Sequence, residues 1–170
     1  MTICFDKDAR SSEVYFSDTD KILYLIKEFG FFRDEHELAC IAFIGKTLNF
    51  DTPIDERKID VRRKGLSEPS IFMNLHLLER GGYIENSHKK ETIKLRSSGI
   101  EYLSQKEHNG EYSQFVAIMK KIDRELWPIL SFYLLEKNRE RKSSREVLDM
   151  IEDLFELEKN QLHILASFSS

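Results

Sequence analysis

The chain has 170 residues, 41% of them hydrophobic and 33% charged, with a formal net charge of -4. That length and composition describe a folded, helix-rich domain with room for an appended helical part, and exclude a disordered chain. The net charge excludes a general polycation, so a nucleic-acid surface here has to be a local concentration of positive residues.

Longer sequence features narrow the class further. The longest apolar run, Ala39 to Ile44, is too short to cross a bilayer, so no membrane span is expected. The first ten residues, MTICFDKDAR, carry acids where a secretory leader needs a basic and then an apolar stretch. Two cysteines, Cys4 and Cys40, give no disulfide framework, and a reducing, cytoplasmic setting is expected with Cys40 buried on a helix.

In chain order, residues 1–17 read as an N-terminal arm, with short apolar pieces at Ile3–Phe5 and Val14–Phe16. Ser17 followed by Asp20 resembles a capping box, and Ile22, Leu23, Leu25, Ile26 and Phe29 give the helix after it an apolar face that Gly30 ends. A second helix is predicted from Asp34, its cap, to Leu48, with Leu38, Ile41, Ala42 and Ile44 inward and His36, Glu37 and Lys46 outward. Thr52-Pro53-Ile54-Asp55 reads as the start of a third helix ending at Gly65, with Arg62, Arg63 and Lys64 as its basic last turn.

Ser67 is the expected cap of a fourth helix, with Ile71, Leu75 and Leu78 facing inward, Ser70, Met73, Asn74 and Leu77 on other faces, and Gly81-Gly82 as its stop. Tyr83–Glu85 and Thr92–Leu95 read as two antiparallel strands around the polar loop 86–91, which carries His88, Lys89 and Lys90. Between His88 and Arg96 there are four Lys or Arg against one acid. A further helix begins near Ser97 and presents Ile100 and Leu103. His108-Asn109-Gly110 reads as a linker.

Beyond it the pattern is helical. Phe115, Val116, Met119 and Ile122 form one stripe. A second segment from about Asp123 to Asn138 has Pro128 either at its start or at a bend. Asn138–Lys142 reads as a charged, solvated connection. A last helix from Ser143 or Ser144 carries Val147, Ile151, Leu154 and Leu165 in a partly heptad-like stripe, the expected seam between two subunits.

The stretch Ser70-Ile71-Phe72-Met73-Asn74-Leu75-His76-Leu77-Leu78-Glu79-Arg80-Gly81-Gly82-Tyr83-Ile84 resembles the recognition helix and first wing strand of PadR-like regulators. Leu95-Arg96-Ser97-Ser98-Gly99 is similar to the segment that follows the wing in PadR-like and MarR-like repressors. The likeness covers about a third of the chain. It implies a mainly α fold with a small β-wing: a winged helix-turn-helix domain over 18–107 and a C-terminal helical dimerisation region over 111–170.

The function it implies is a homodimeric transcriptional regulator binding double-stranded DNA. On the residue types, Ser67, Ser70, Met73 and Asn74 are the candidates for bases and nearby phosphates. Arg62, Arg63, Lys64, His88, Lys89 and Lys90 are the candidates for the backbone. Phe72 stands where those regulators have Tyr, Glu68 places an acid at the helix mouth, and Phe72, Met73 and Leu77 leave apolar surface. A protein-interaction module is therefore the alternative.

Enzyme chemistry is not expected. His36, His76, His88, His108 and His163 are scattered without metal-ligand spacing. Glu56-Arg57-Lys58 matches only the tail of a nuclease motif, and there is no phosphate-cradling loop or nucleophile elbow. No metal, cofactor or catalytic residue is expected, and Trp127, Phe132, Tyr133 and Phe155 read as core in preference to an effector pocket.

Overall fold

Helix α1, Asp18–Phe29, starts as its sequence dictates. Ser17 Oγ accepts from the Asp20 amide, and the Asp20 carboxylate accepts from the Ser17 amide at 3.1 Å. Gly30 closes it with φ of 87°, and its N–H donates to Ile26 O. The structure, a computed structural model, describes residues 17–106 and 112–140. The expected arm, the linker around Asn109 and the last helix from Ser143 lie outside the described residues.

Helix α2, Glu35–Thr47, is capped by the Asp34 carboxylate and is buried on nearly every side. Leu38, Ile41, Ala42, Ile44 and Leu48 are all in the core, as their spacing predicts. Glu37 corrects the outward assignment: it is 6% exposed. Its carboxylate accepts from Arg124 Nη1 at 2.6 Å and from the Arg33 amide at 3.0 Å.

The predicted third helix does not form. Thr52, Pro53 and Ile54 are buried irregular chain that bends at Pro53, where the Ile54 N–H donates to Thr52 O at 3.0 Å, and the Thr52 hydroxyl donates to Ala42 O. A single 3-10 turn, Glu56–Lys58, follows, and then a hairpin of β1, Asp60–Arg62, and β2, Gly65–Ser67. The strands pair antiparallel, with Val61 opposite Leu66 and Arg62 opposite Gly65. A helix here would have had too thin an apolar stripe to bury, whereas the hairpin sends Leu66 fully into the core. Gly65 has φ of 146°, and a Cβ there would stand 2.9 Å from Cys40 Sγ. His36 Nδ1, which must carry the proton, donates to Leu66 O at 3.0 Å and holds β2 to α2.

Helix α3, Pro69–Arg80, is capped by Glu68, not Ser67, which lies in β2. Pro69 at the first helical position loses no hydrogen bond. Ile71, Leu75 and Leu78 form the buried face. Strands β3, Ile84–Ser87, and β4, Thr92–Leu95, make a second antiparallel hairpin with Ile84 opposite Leu95. Phe32, in the loop between α1 and α2, extends that ribbon: its N–H donates to Ile93 O at 2.9 Å and its carbonyl accepts from the Ile93 N–H at 2.7 Å.

Helix α4, Ser97–Ser104, returns against α1. Leu103 is buried, but Ile100 is 52% exposed, against the expectation that both face inward. Gly99 takes that place: its Cα backs onto Tyr83 O. Tyr102 OH and Lys106 Nζ donate to the two oxygens of Asp20, at 2.7 and 2.6 Å, tying α4 to the first turn of α1.

Helices α5, Ser113–Lys120, and α6, Trp127–Glu140, complete the described chain. Pro128 falls in the first turn of α6, after a 3-10 turn at Arg124–Leu126. The helix continues through Glu140, so Asn138–Glu140 is helix where a connection was expected, and Asn138 is exposed. These helices share one core with residues 17–106. Phe115 packs against Phe29 and Phe50, Trp127 packs edge-on to Phe29 at 5.3 Å, and α6 lies along α2 and β2. The architecture is mainly helical with two small antiparallel hairpins, one on each side of α3 in the chain.

Candidate functional site

Helix α3 has one face in the core and one in solvent, so every site residue on it is sorted by its angular position. Ile71, Leu75 and Leu78 recur at four and three residues and anchor it. On the outer face stand Phe72, Met73 and Leu77, at 61, 62 and 52% exposure. His76, Glu79 and Arg80 are also exposed. Asn74 lies half-buried at the edge between the two faces.

The N-terminal end of α3 is more closed than its sequence suggests. Glu68 stands at the helix mouth as its cap but is 2% exposed, so its carboxylate is turned in and not presented to solvent. Its carboxylate accepts from the Ser70 amide at 2.8 Å and from the Ser70 hydroxyl. An acid at the positive end of the helix, with two donors, is well placed electrostatically. The cost is that the Ser70 hydroxyl is committed to Glu68. Ser67 and Met73 border one apolar groove of about 520 Å³, together with Glu35, Pro69, Ile71 and Phe72.

The basic residues are gathered at two hairpin tips. Arg63 and Lys64 form the two-residue turn of β1–β2, both exposed, because Arg62 and Gly65 are paired across it. Arg62 is exposed and forms an ion pair with Asp60 at 2.9 Å. At this exposure such a pair contributes little to stability and is readily exchanged for another anion. His88, Lys89 and Lys90 are exposed at the tip of β3–β4. The Lys90 amide donates to Ser87 Oγ at 3.2 Å, and Glu91 closes the loop with φ of 49°. Within the second hairpin, Lys94 is turned to Glu85 at 3.4 Å and away from this tip cluster.

The ten residues singled out from sequence therefore fall into three groups: Arg62, Arg63, Lys64 and Ser67 on the first hairpin; His88, Lys89 and Lys90 on the second; and Ser70, Met73 and Asn74 along α3. The first hairpin leads into the N-terminus of α3 and the second leaves its C-terminus. Sequence reasoning missed Glu35 at the groove rim, because it is one of two acids in the first turn of α2 and looks like an ordinary dipole-complementing residue.

A second recess, of about 250 Å³, lies between Phe29, Ile122 and Trp127, with Lys120, Asp123 and Arg124 around it. The Arg124 guanidinium lies 4.3 Å from the Phe31 ring centre and 4.7 Å from that of Trp127. Its ion pair with Glu37 uses the same group, which makes it part of the fold's polar scaffold. Cys40 is buried, and burial pushes its thiol up to about 11. Among the described residues, no group of three His, Cys, Asp or Glu is arranged to hold a metal ion, and no helix is long and apolar enough to cross a membrane. Comparison of the chain with protein-family models, with curated proteins and with solved structures finds no match.

Proposed function

We propose that this chain is a winged-helix protein that binds double-stranded DNA and regulates transcription as a homodimer in the cytoplasm. The observation that carries the reading is the pair of hydrogen bonds between Phe32 and Ile93. They make the β3–β4 ribbon continuous with the segment between α1 and α2. The element order around α3 is then helix, strand residue, helix, helix, ribbon, which is the order of a winged helix. The ribbon tip carries His88, Lys89 and Lys90, as a wing that grips phosphate requires. The β1–β2 hairpin is an elaboration between α2 and α3 that adds Arg62, Arg63 and Lys64 to the same function.

Fluorescence anisotropy with a random-sequence duplex, titrated over salt, tests this. Binding is expected to weaken steeply as salt rises, and Lys89→Ala with Lys90→Ala is expected to lower the log–log slope by about 2. An unchanged slope removes the second hairpin from the contact set. No binding even at low salt sinks the DNA reading.

A second reading is favoured by a specific observation. Phe72, Met73 and Leu77 put apolar surface where a DNA reader needs donors and acceptors. With Ser70 committed to Glu68, the outer face of α3 is better suited to a protein surface than to base edges. In that reading the fold is kept and α3 docks a protein.

A further inference from the structure

We propose that Arg124 is a positioning residue for the β3–β4 ribbon: from the turn before α6 it fixes residues 31–33, and through them the ribbon that carries Lys89 and Lys90. The inference rests on the DNA reading and adds to it a residue that acts on DNA binding without touching DNA.

Every step of the connection is a contact. Arg124 Nη1 donates to Glu37 Oε1 at 2.6 Å, and the same oxygen accepts from the Arg33 amide at 3.0 Å. The guanidinium also lies 4.3 Å from the Phe31 ring centre and 6.0 Å from that of Phe32. Phe32 exchanges both backbone hydrogen bonds with Ile93 of β4, at 2.9 and 2.7 Å. Strand β4 pairs with β3 out to Thr92 and Ser87, where the loop with Lys89 and Lys90 begins. One guanidinium thus acts on residues 31 and 33, directly and through Glu37, on either side of the residue that holds the ribbon. It is itself held, 4.7 Å from the ring centre of the buried Trp127.

Burial decides which of these contacts matters most. The side chains of Arg124 and Glu37 are 18 and 8% exposed. Removing the cation from such a pair leaves a buried carboxylate without its partner. Arg33 and Glu125 make a second link between the same two segments at 2.8 Å, but at 42 and 68% exposure solvent screens it. Without Arg124, the cation left to Glu37 is Arg33, whose Nε is 3.8 Å away, so the change falls on the segment that holds Ile93. Phe32 and Ile93 are both fully buried, so their two mutual hydrogen bonds are not exchanged for water unless the segment opens.

Native-state amide hydrogen exchange on the full chain, with anisotropy on the same proteins, tests the proposal. Arg124→Met is expected to speed exchange of the Phe32 and Ile93 amides about tenfold more than that of Ile26 in α1 and Ile44 in α2. Arg124→Met with Glu37→Met removes the unpaired charge, so it keeps the fold if the single variant loses it, and the same two amides are expected to lead. With duplex DNA, Arg124→Met is expected to weaken binding about tenfold in the wild-type background and to add nothing in the Lys89→Ala, Lys90→Ala background, because it acts through those lysines.

Exchange that rises equally at all four amides, or at none, overturns the proposal, since Arg124 then has no particular hold on the ribbon. An Arg124→Met effect on DNA binding that persists without the two lysines overturns it as well, since Arg124 would then touch DNA itself. A wild-type chain that binds no duplex at low salt removes the DNA reading, and the exchange alone then decides whether Arg124 positions the ribbon.

Discussion

Single atoms decide two places in this molecule. At Gly99 a Cβ would come 2.4 Å from the Tyr83 carbonyl oxygen, a backbone atom with nowhere to go. That carbonyl also accepts from the Arg96 amide at 2.9 Å, so a shift breaks the bond that starts α4. Gly99→Ala is expected to destabilise the fold by about 2 kcal/mol or more, read as a fall in the urea midpoint at constant slope. A neutral substitution would mean that α4 slides freely on the second hairpin. At the start of α3 the sequence reading makes Ser67 the cap and Glu68 an outward acid, whereas Glu68 is the cap. Pro69 was the usable signal, since proline belongs at the first helical position and so puts the cap one residue before it. Glu37 had no such signal: its partner Arg124 is 87 residues away, and no local spacing encodes that pair.

Among the elements, the helices that start with a cap and end with a glycine were readable almost to the residue, as α1 shows. The segment from Thr52 to Ser67 was not. Its basic run and its Thr-Pro start resemble a helix, but what places it is tertiary: Thr52 bonded to Ala42 and Leu66 packed on α2. The contact between α1 and α4 is likewise tertiary, and it titrates. Burial of Asp20 pushes its carboxyl up, but hydrogen bonds from Lys106, Tyr102 and the Ser17 amide outweigh that and hold it below its ordinary value. A lowered carboxyl stabilises the fold above the ordinary aspartate range and loses that contribution as pH falls through the lowered value. Burial lowers Lys106, and its bonds to Asp20 and Tyr102 more than restore it, so its pKa is raised. That contribution is full below the ordinary lysine value and fades only as pH rises through the raised one. The link between α1 and α4 is therefore intact across the neutral range. Asp20→Asn is expected to lower the urea midpoint at pH 7, and the gap to wild type to close as pH falls into the acid range. A gap that stays constant with pH would show that the carboxylate charge contributes nothing.

For the molecule as a whole, the main surprise of packing is how much of α5 and α6 belongs to the core of the first hundred residues. Phe115, Met119, Trp127 and Leu130 are each buried to within 2% of complete. Their stripes were legible in the sequence, but a stripe does not say which core it joins. The outer face of α3 was legible as apolar, and the two basic tips as basic; that the first tip is a hairpin was not. Cys40 reports on this shared core, because α2, β2 and α6 meet at it and the Ser131 hydroxyl donates to its sulfur at 3.3 Å. With its pKa pushed up to about 11 by burial, its thiol stays protonated at neutral pH. In a Cys4→Ser background, labelling by a disulfide reagent is expected to follow global unfolding and to accelerate with urea along the unfolding curve. Rapid labelling of the native protein would mean that α6 opens away from α2 independently.

The two hydrogen bonds between Phe32 and Ile93 have a mechanical consequence. They clamp the β3–β4 ribbon near its middle strand position, leaving the loop that holds Lys89 and Lys90 as the free end of a cantilever. Its root is the elbow between α1 and α2. The direction in which the lysines point is therefore fixed in part from the segment between α1 and α2, at a distance from the lysines themselves.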